Sequence, residues 1–136
     1  MMMRKIFLLF LLTMTLSAQD LLAQTAEEIV QQQLDTYNAR DLEGFMALFS
    51  DDSAVVNHAD GKVLAQGKAA VEKLYQGLFD QSLNLHSNLT NRIVLGNTVI
   101  DHETITGRMG QPDAIELVVI YEVENQKIKK ATVIKK

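Results

Sequence analysis

From Ala26 the apolar positions Ala26, Ile29, Val30, Leu34 and Tyr37 return at helical spacing, with Glu27 and Glu28 placed at the positive end of the helix dipole. An amphipathic helix is predicted there. Asp41 is suited to cap a second, short helix whose inward face is Leu42, Phe45, Met46 and Phe49, and the polar run from Ser50 to Ser53 ends it. The two helices form a predicted hairpin. Ala54 to Asn57 and Lys62 to Ala65 read as short strands around the turn signal Asp60-Gly61. After Gly67, the positions Val71, Leu74, Tyr75 and Leu78 predict a third helix. Beyond Asp80 the chain is rich in β-branched residues and is broken only at Gly96-Asn97, at Gly107 to Pro112 and at Asn125-Gln126. Four strands fit between these breaks, at 83–95, 98–106, 113–124 and 127–134, joined by antiparallel turns. Helices followed by a meander make an α+β pattern. The lysines of the last strand and tail, from Lys127 to Lys136, read as a solvated strand resisting edge pairing.

The start of the chain has another character. Arg4 and Lys5 precede an apolar run from Ile6, and small residues follow at Ser17, Ala18 and Ala23. The run is shorter than the roughly 20 apolar residues of a membrane-spanning helix. Residues 1–23 are therefore expected to be a signal peptide, with cleavage after Ala18 or Ala23 and no stable membrane anchor afterwards, and 24–136 to be one exported domain, periplasmic or secreted. With 13 Lys and Arg against 17 Asp and Glu, the charge of −4 offers no general attraction for nucleic acid. The absence of cysteine excludes disulfides, thiolate metal sites and a cysteine nucleophile.

The segment Tyr37-Asn38-Ala39-Arg40-Asp41-Leu42-Glu43-Gly44-Phe45-Met46-Ala47-Leu48-Phe49-Ser50-Asp51-Asp52 resembles the nuclear transport factor 2-like superfamily, in particular its SnoaL-like and ketosteroid-isomerase-like branch. Val99 to Glu103 followed by Gly107, then Ile120 to Asn125 with Lys127 and Ile128, is similar to the strand pattern of that branch. The resemblance covers Ala26 to Ile134. It implies a cone-shaped roll, a strongly bent antiparallel sheet with about three N-terminal helices closing a pocket that takes a small molecule. It also implies a homodimer joined through the outer sheet face, where Glu116, Val118, Ile120 and Glu122 alternate charge with an apolar pair. Ketosteroid isomerases move a proton with an Asp while a Tyr and a protonated Asp hold the oxyanion. Carried over by position, the tyrosine falls on Gln33, the general base on Asn57 and the buried acid on Val119. All three roles are vacant, and steroid isomerisation by the family mechanism is not expected.

The same carry-over turns Ile100, His102 and Thr104 toward the cavity and sends Asp101 and Glu103 to the other face. His102 is then a candidate hydrogen-bonding group for a ligand, a buried histidine satisfied internally, or, if the protein is an enzyme, its general base. His58 sits beside Asn57 at the rim or in an exposed turn. Candidate ligand-binding residues are thus Asn57, His58, His102, Thr104, Val119 and Tyr121. His86 reads as a solvated strand entrance, Asp51 and Asp52 as turn and capping groups, and Arg92 as a partner either for an acidic ligand or for Asp101. The three histidines lack metal-ligand spacing, and no glycine-rich phosphate loop or serine elbow occurs, so no metal and no cofactor is expected. Asn88-Leu89-Thr90 matches a glycosylation sequon. Two functions remain open: an exported binding domain for a small, mostly apolar molecule bearing a carbonyl or hydroxyl, and a SnoaL-like isomerase, dehydratase or lyase using His102.

Overall fold

The computed structural model describes residues 23–136. The expected leader lies outside them except for Ala23. Helix α1 spans Ala26–Ala39 and opens with a capping box. The Thr25 hydroxyl accepts from the Glu28 N–H at 3.2 Å, and the Glu28 carboxylate accepts from the Thr25 N–H at 2.9 Å. It closes at Arg40, whose left-handed backbone returns its N–H to the carbonyls of Thr36 and Tyr37. Helix α2, Leu42–Met46, is capped by Asp41, which accepts from the Gly44 N–H. Strands β1 (Phe49–Asn57) and β2 (Val63–Gln66) precede α3 (Lys68–Asp80). The remaining strands are β3 (His86–Leu95), β4 (Thr98–Thr106), β5 (Ile115–Glu124) and β6 (Lys127–Lys135), with a single 3-10 turn at Arg108–Gly110 between β4 and β5. None of the described helices is long and apolar enough to cross a membrane.

Among the described residues the fold is mixed α+β, three helices on a curled, unclosed sheet of six strands ordered β2-β1-β6-β5-β4-β3. The predicted meander is present, with one difference: after α3 the chain enters at the far edge, and β6 therefore returns beside β1 and pairs with it in parallel. This corrects the reading of the lysine-rich last strand as an edge. β6 is flanked on both sides, by β1 and β5, and its lysines meet acids on β5, Lys129 with Glu124 and Lys130 with Glu122. The same pairing lengthens β1. Ser50 to Ser53, expected to form a loop, are extended between two anchored ends, Phe49 paired with Ile128 and Ala54 with Lys130, with a register shift across them. Ladder hydrogen bonds, available only once β6 arrives, outweigh the turn preference of a polar run.

The helices bury their apolar faces on the concave side of the sheet. Phe45 sits at the centre of an aromatic cluster, with ring centroids 6.3 Å from Tyr37, 4.9 Å from Phe49, 4.5 Å from Tyr75 and 5.7 Å from Phe79. These spacings suit tilted and edge-on aromatic pairs. The Asn38 amide fastens α1 to β3, donating to the Ser87 carbonyl at 3.0 Å and accepting from its N–H at 2.7 Å. The cluster fills the α2 end of the layer. Between α1, α3 and the sheet, the layer is left partly open.

Candidate functional site

That opening is a cavity of about 340 Å³. Helix α1 contributes Gln33 and Tyr37 to its wall, α3 contributes Leu74, Tyr75 and Leu78, and the sheet contributes Glu103, Ile105, Leu117, Val119 and Tyr121. The sheet residues follow from strand alternation. On β4, Val99, Asp101, Glu103 and Ile105 are all buried, while Ile100, His102 and Thr104 are half-buried on the opposite face. Register carries the inner set onto β5, with Val99 opposite Tyr121, Asp101 opposite Val119 and Glu103 opposite Leu117.

The polar groups of this wall are under-partnered. Gln33 is 3% exposed and its Oε1 has no hydrogen-bond partner. Glu103 is 4% exposed and has no ion-pair partner among the described residues. Burial first, and then the nearby Asp101, push its carboxyl up to about 7. Ser87 partly offsets the rise, although its hydroxyl lies outside ordinary hydrogen-bond geometry. The phenols around it are correspondingly hard to ionise: burial pushes Tyr75 up to about 12 and raises Tyr37 and Tyr121 as well. At neutral pH the part of the wall formed by Gln33, the tyrosines and Glu103 offers neutral hydrogen-bonding groups and one carboxyl close to its midpoint. That set can orient a hydroxyl or carbonyl, and Glu103 can accept or return a proton.

Asp101, two residues earlier on the same face, is held differently. Arg92 on β3 clasps it with two hydrogen bonds, Nε to Oδ1 at 2.7 Å and Nη2 to Oδ2 at 2.8 Å, and uses Nη1 to donate to Gln31 at 2.8 Å. Of the two readings open for Arg92, the structure shows the cross-strand pair.

Several expected site residues lie elsewhere. Val119 and Tyr121 line the cavity, as does Gln33. His102 and Thr104 do not, which reverses their expected facing: His102 stands on the outer face and meets Glu116 at 2.9 Å. The physical reason is parity. The carry-over shifted β4 by one residue, which exchanges its two faces. Asn57 is also away from the cavity, donating to Asp60 at 2.9 Å in the β1-β2 turn, and His58 beside it is exposed. His86 is exposed at the start of β3, and Asp51 and Asp52 are exposed on β1. Among the described residues no group of three or more His, Asp or Glu is placed to hold a metal ion. Glu103 is the site residue that the sequence reading missed. Val99 and Ile105 share its parity, but Ile100 has the other, so the local pattern did not single it out.

The inner face of a curled sheet, closed by helices around a small cavity, is the geometry expected of one superfamily, and comparison with known proteins decides the matter. The SnoaL-like domain family matches residues 30–131. The chain belongs to that family. No curated protein sequence matches it. Solved SnoaL-like and related folds superpose well despite low identity. An uncharacterised cystatin-fold protein from Novosphingobium aromaticivorans is 21% identical with a TM-score of 0.76, over 82% of this chain and 99% of that one. A protein provisionally named a ketosteroid isomerase, from Kribbella flavida, is 18% identical with a TM-score of 0.71, over 82% of this chain and 77% of that one. Another, provisionally named a polyketide cyclase, from Sinorhizobium meliloti, is 17% identical with a TM-score of 0.65, over 78% and 93%. At these identities the likeness establishes the fold of the SnoaL-like domain, while its chemistry rests on its own residues.

Proposed function

We propose that this SnoaL-like domain binds a small, mostly apolar molecule in the cavity between α1, α3 and the inner sheet face, with a hydroxyl or carbonyl directed at Gln33 and Glu103. The observation that carries this reading is a largely apolar and aromatic wall that holds a buried amide oxygen without a hydrogen-bond partner, Gln33 Oε1, and a buried carboxyl without an ion-pair partner, Glu103. A buried acceptor left unmatched costs about 1–3 kcal/mol, which a ligand hydrogen bond removes. The test is a thermal-shift screen of neutral cyclic alcohols and ketones, run beside mass spectrometry of whatever co-purifies. Val119→Phe, which extends a ring into the cavity, is expected to keep the fold and lose the ligand-induced shifts. Shifts that persist unchanged in that variant place the ligand elsewhere.

A second reading, catalysis of proton transfer in an isomerase, dehydratase or lyase, is favoured by the placement and raised pKa of Glu103. Glu103 takes the part that the sequence suggested for His102. Steroid isomerisation by the family mechanism is not expected, since Gln33 and Val119 on the cavity wall supply neither a phenol nor an acid. We also propose export and removal of the first segment, checked by the intact mass of the exported protein. The outer sheet face suits a homodimer: Ile100 stands opposite Ile93 and Ile120, and Val118 opposite Ile134, within a border of ion pairs from Glu116 and Glu122. Val118→Glu is expected to yield a monomer in sedimentation.

A further inference from the structure

The cavity wall carries three cations, Lys73 on α3, Arg108 in the turn after β4, and Lys135 at the end of β6. None of them has an ion-pair partner among the described residues. They stand together in a chain whose net charge is −4. Lys135 lies on the inner face, across Leu117 from Glu103, and its pKa is lowered first by burial and then by the Arg108 charge. Arg108 is also close enough to Tyr37 and Tyr75 to favour their ionised forms. Arg108 is half-buried while Lys73 and Lys135 are exposed, and like charges that line one cavity repel one another until an anion comes between them.

Arg108 is held in place by its turn. Gly107 has φ of 70°, and its backbone approaches the Asn84 carbonyl so closely that any β-carbon there would clash. The next turn residue, Met109, donates its N–H at 2.8 Å to the hydroxyl of Ser82, which is fully buried just after α3. The backbone on either side of Arg108 thus packs against or bonds to the segment just after α3, which fixes the place of Arg108 on the cavity wall. Among the residues of the cavity wall the only acid is Glu103. It keeps much of its proton at neutral pH and so does not cancel the cations.

We propose that the ligand of this cavity is an amphipathic monoanion, a small apolar body bearing one carboxylate, with the carboxylate held by Arg108 and Lys135 beside Lys73 and the body among Leu117, Val119 and the tyrosines. This rests on the reading of the cavity as a ligand site and adds the charge of the ligand. A guanidinium presents a planar fork that matches a carboxylate with two parallel hydrogen bonds. A cavity of about 340 Å³ is at the small end of ligand pockets. One or two fused rings or a short branched chain therefore suit it better than a long acyl chain.

The test compares 1-naphthaleneacetic acid with 1-naphthaleneethanol, which share the ring and differ in the carboxylate, by calorimetric titration of protein purified after expression of the full chain. The acid is expected to bind about tenfold tighter or more, as charge-assisted hydrogen bonds imply. Added salt is expected to reduce that ratio. Arg108→Gln combined with Lys135→Gln is expected to bring the ratio close to one, with an unchanged thermal melt of the unliganded protein reporting an intact fold. Equal affinities, or a ratio that survives the double substitution, overturn the proposal and leave the cavity reading standing. Binding of neither compound overturns the cavity reading and this proposal with it.

Discussion

Asp101 and Glu103 are carboxylates two residues apart on one face of one strand, both buried, and they have opposite fates. Asp101 is clasped by Arg92, whereas Glu103 has no ion-pair partner among the described residues and a pKa raised to about 7. The difference arises across the β3-β4 hairpin. Its two-residue turn at Gly96-Asn97 sets Leu95 opposite Thr98 and, with regular pairing, Arg92 opposite Asp101. The register then shifts between Leu89 and Asn91, and the residue opposite Glu103 is Leu89. One buried acid is thereby part of the scaffold, and the other faces the cavity with capacity to spare. Burial alone did not distinguish them; the cross-strand neighbour did.

The largest effect is expected from making Asp101 resemble Glu103. Arg92→Met strands a carboxylate that is fully buried, at a cost of about 3–5 kcal/mol in urea unfolding. Adding Asp101→Leu should recover most of that loss, since a well-packed apolar pair often replaces a buried ion pair without penalty. No recovery in the double variant would mean that the pair also orders the hairpin.

Glu103→Gln sharpens the other side of the comparison. The folded acid keeps its proton up to about 7, while an ordinary unfolded carboxylate has lost it above about 4.5. Between these values folding takes up a proton, so native stability falls as pH rises through that window, and the loss is complete above it. The interval amounts to on the order of 3 kcal/mol. Glu103→Gln should therefore match the wild type near pH 4 and exceed it by up to that amount at pH 8, as read from paired urea melts. Parallel pH profiles for the two proteins would remove the burial penalty assigned to Glu103. If the enzymatic reading holds, the same variant loses activity as it gains stability.

The smallest effect is expected on the opposite face of the same strand. His102 meets Glu116 at a solvated surface and holds its carboxyl below the usual range, ahead of Lys136. His102→Phe should change stability by less than about 0.5 kcal/mol and leave ligand-induced thermal shifts as in the wild type. A loss of those shifts would return His102 to the site and contradict the parity of β4.

How far the sequence reaches is clear from particular elements. Helical spacing from Ala26, the Asp41 cap and the break at Gly67 mark α1, α2 and α3, and the turns at Gly96-Asn97 and Asn125-Gln126 delimit β4 to β6 closely. These are local signals, determined by backbone propensity and hydrophobic period, and they need no tertiary partner. The resemblance over 26–134 adds the fold, and Gln33 and Val119, two of the positions it singled out, line the cavity. Asn57 was misplaced because the carried-over position falls at the β1-β2 turn, where its amide bonds to Asp60.

What only the tertiary structure decided is the facing of β4 and the neighbourhood of the parallel β1-β6 pair. The run Val99 to Ile105 has apolar residues on both parities, and a strand whose two faces each hold a hydrophobic residue and a polar one does not declare its inner side. Resolution came from contacts distant in sequence: Arg92 with Asp101 across the hairpin, and Tyr121 and Val119 opposite Val99 and Asp101. The same is true of the three cations, which lie at positions 73, 108 and 135 and meet only because α3, the turn after β4 and the end of β6 converge on one cavity. Local pattern determined which segments are helix and strand. The packing of those segments decided which carboxylate is structural and which is free to act.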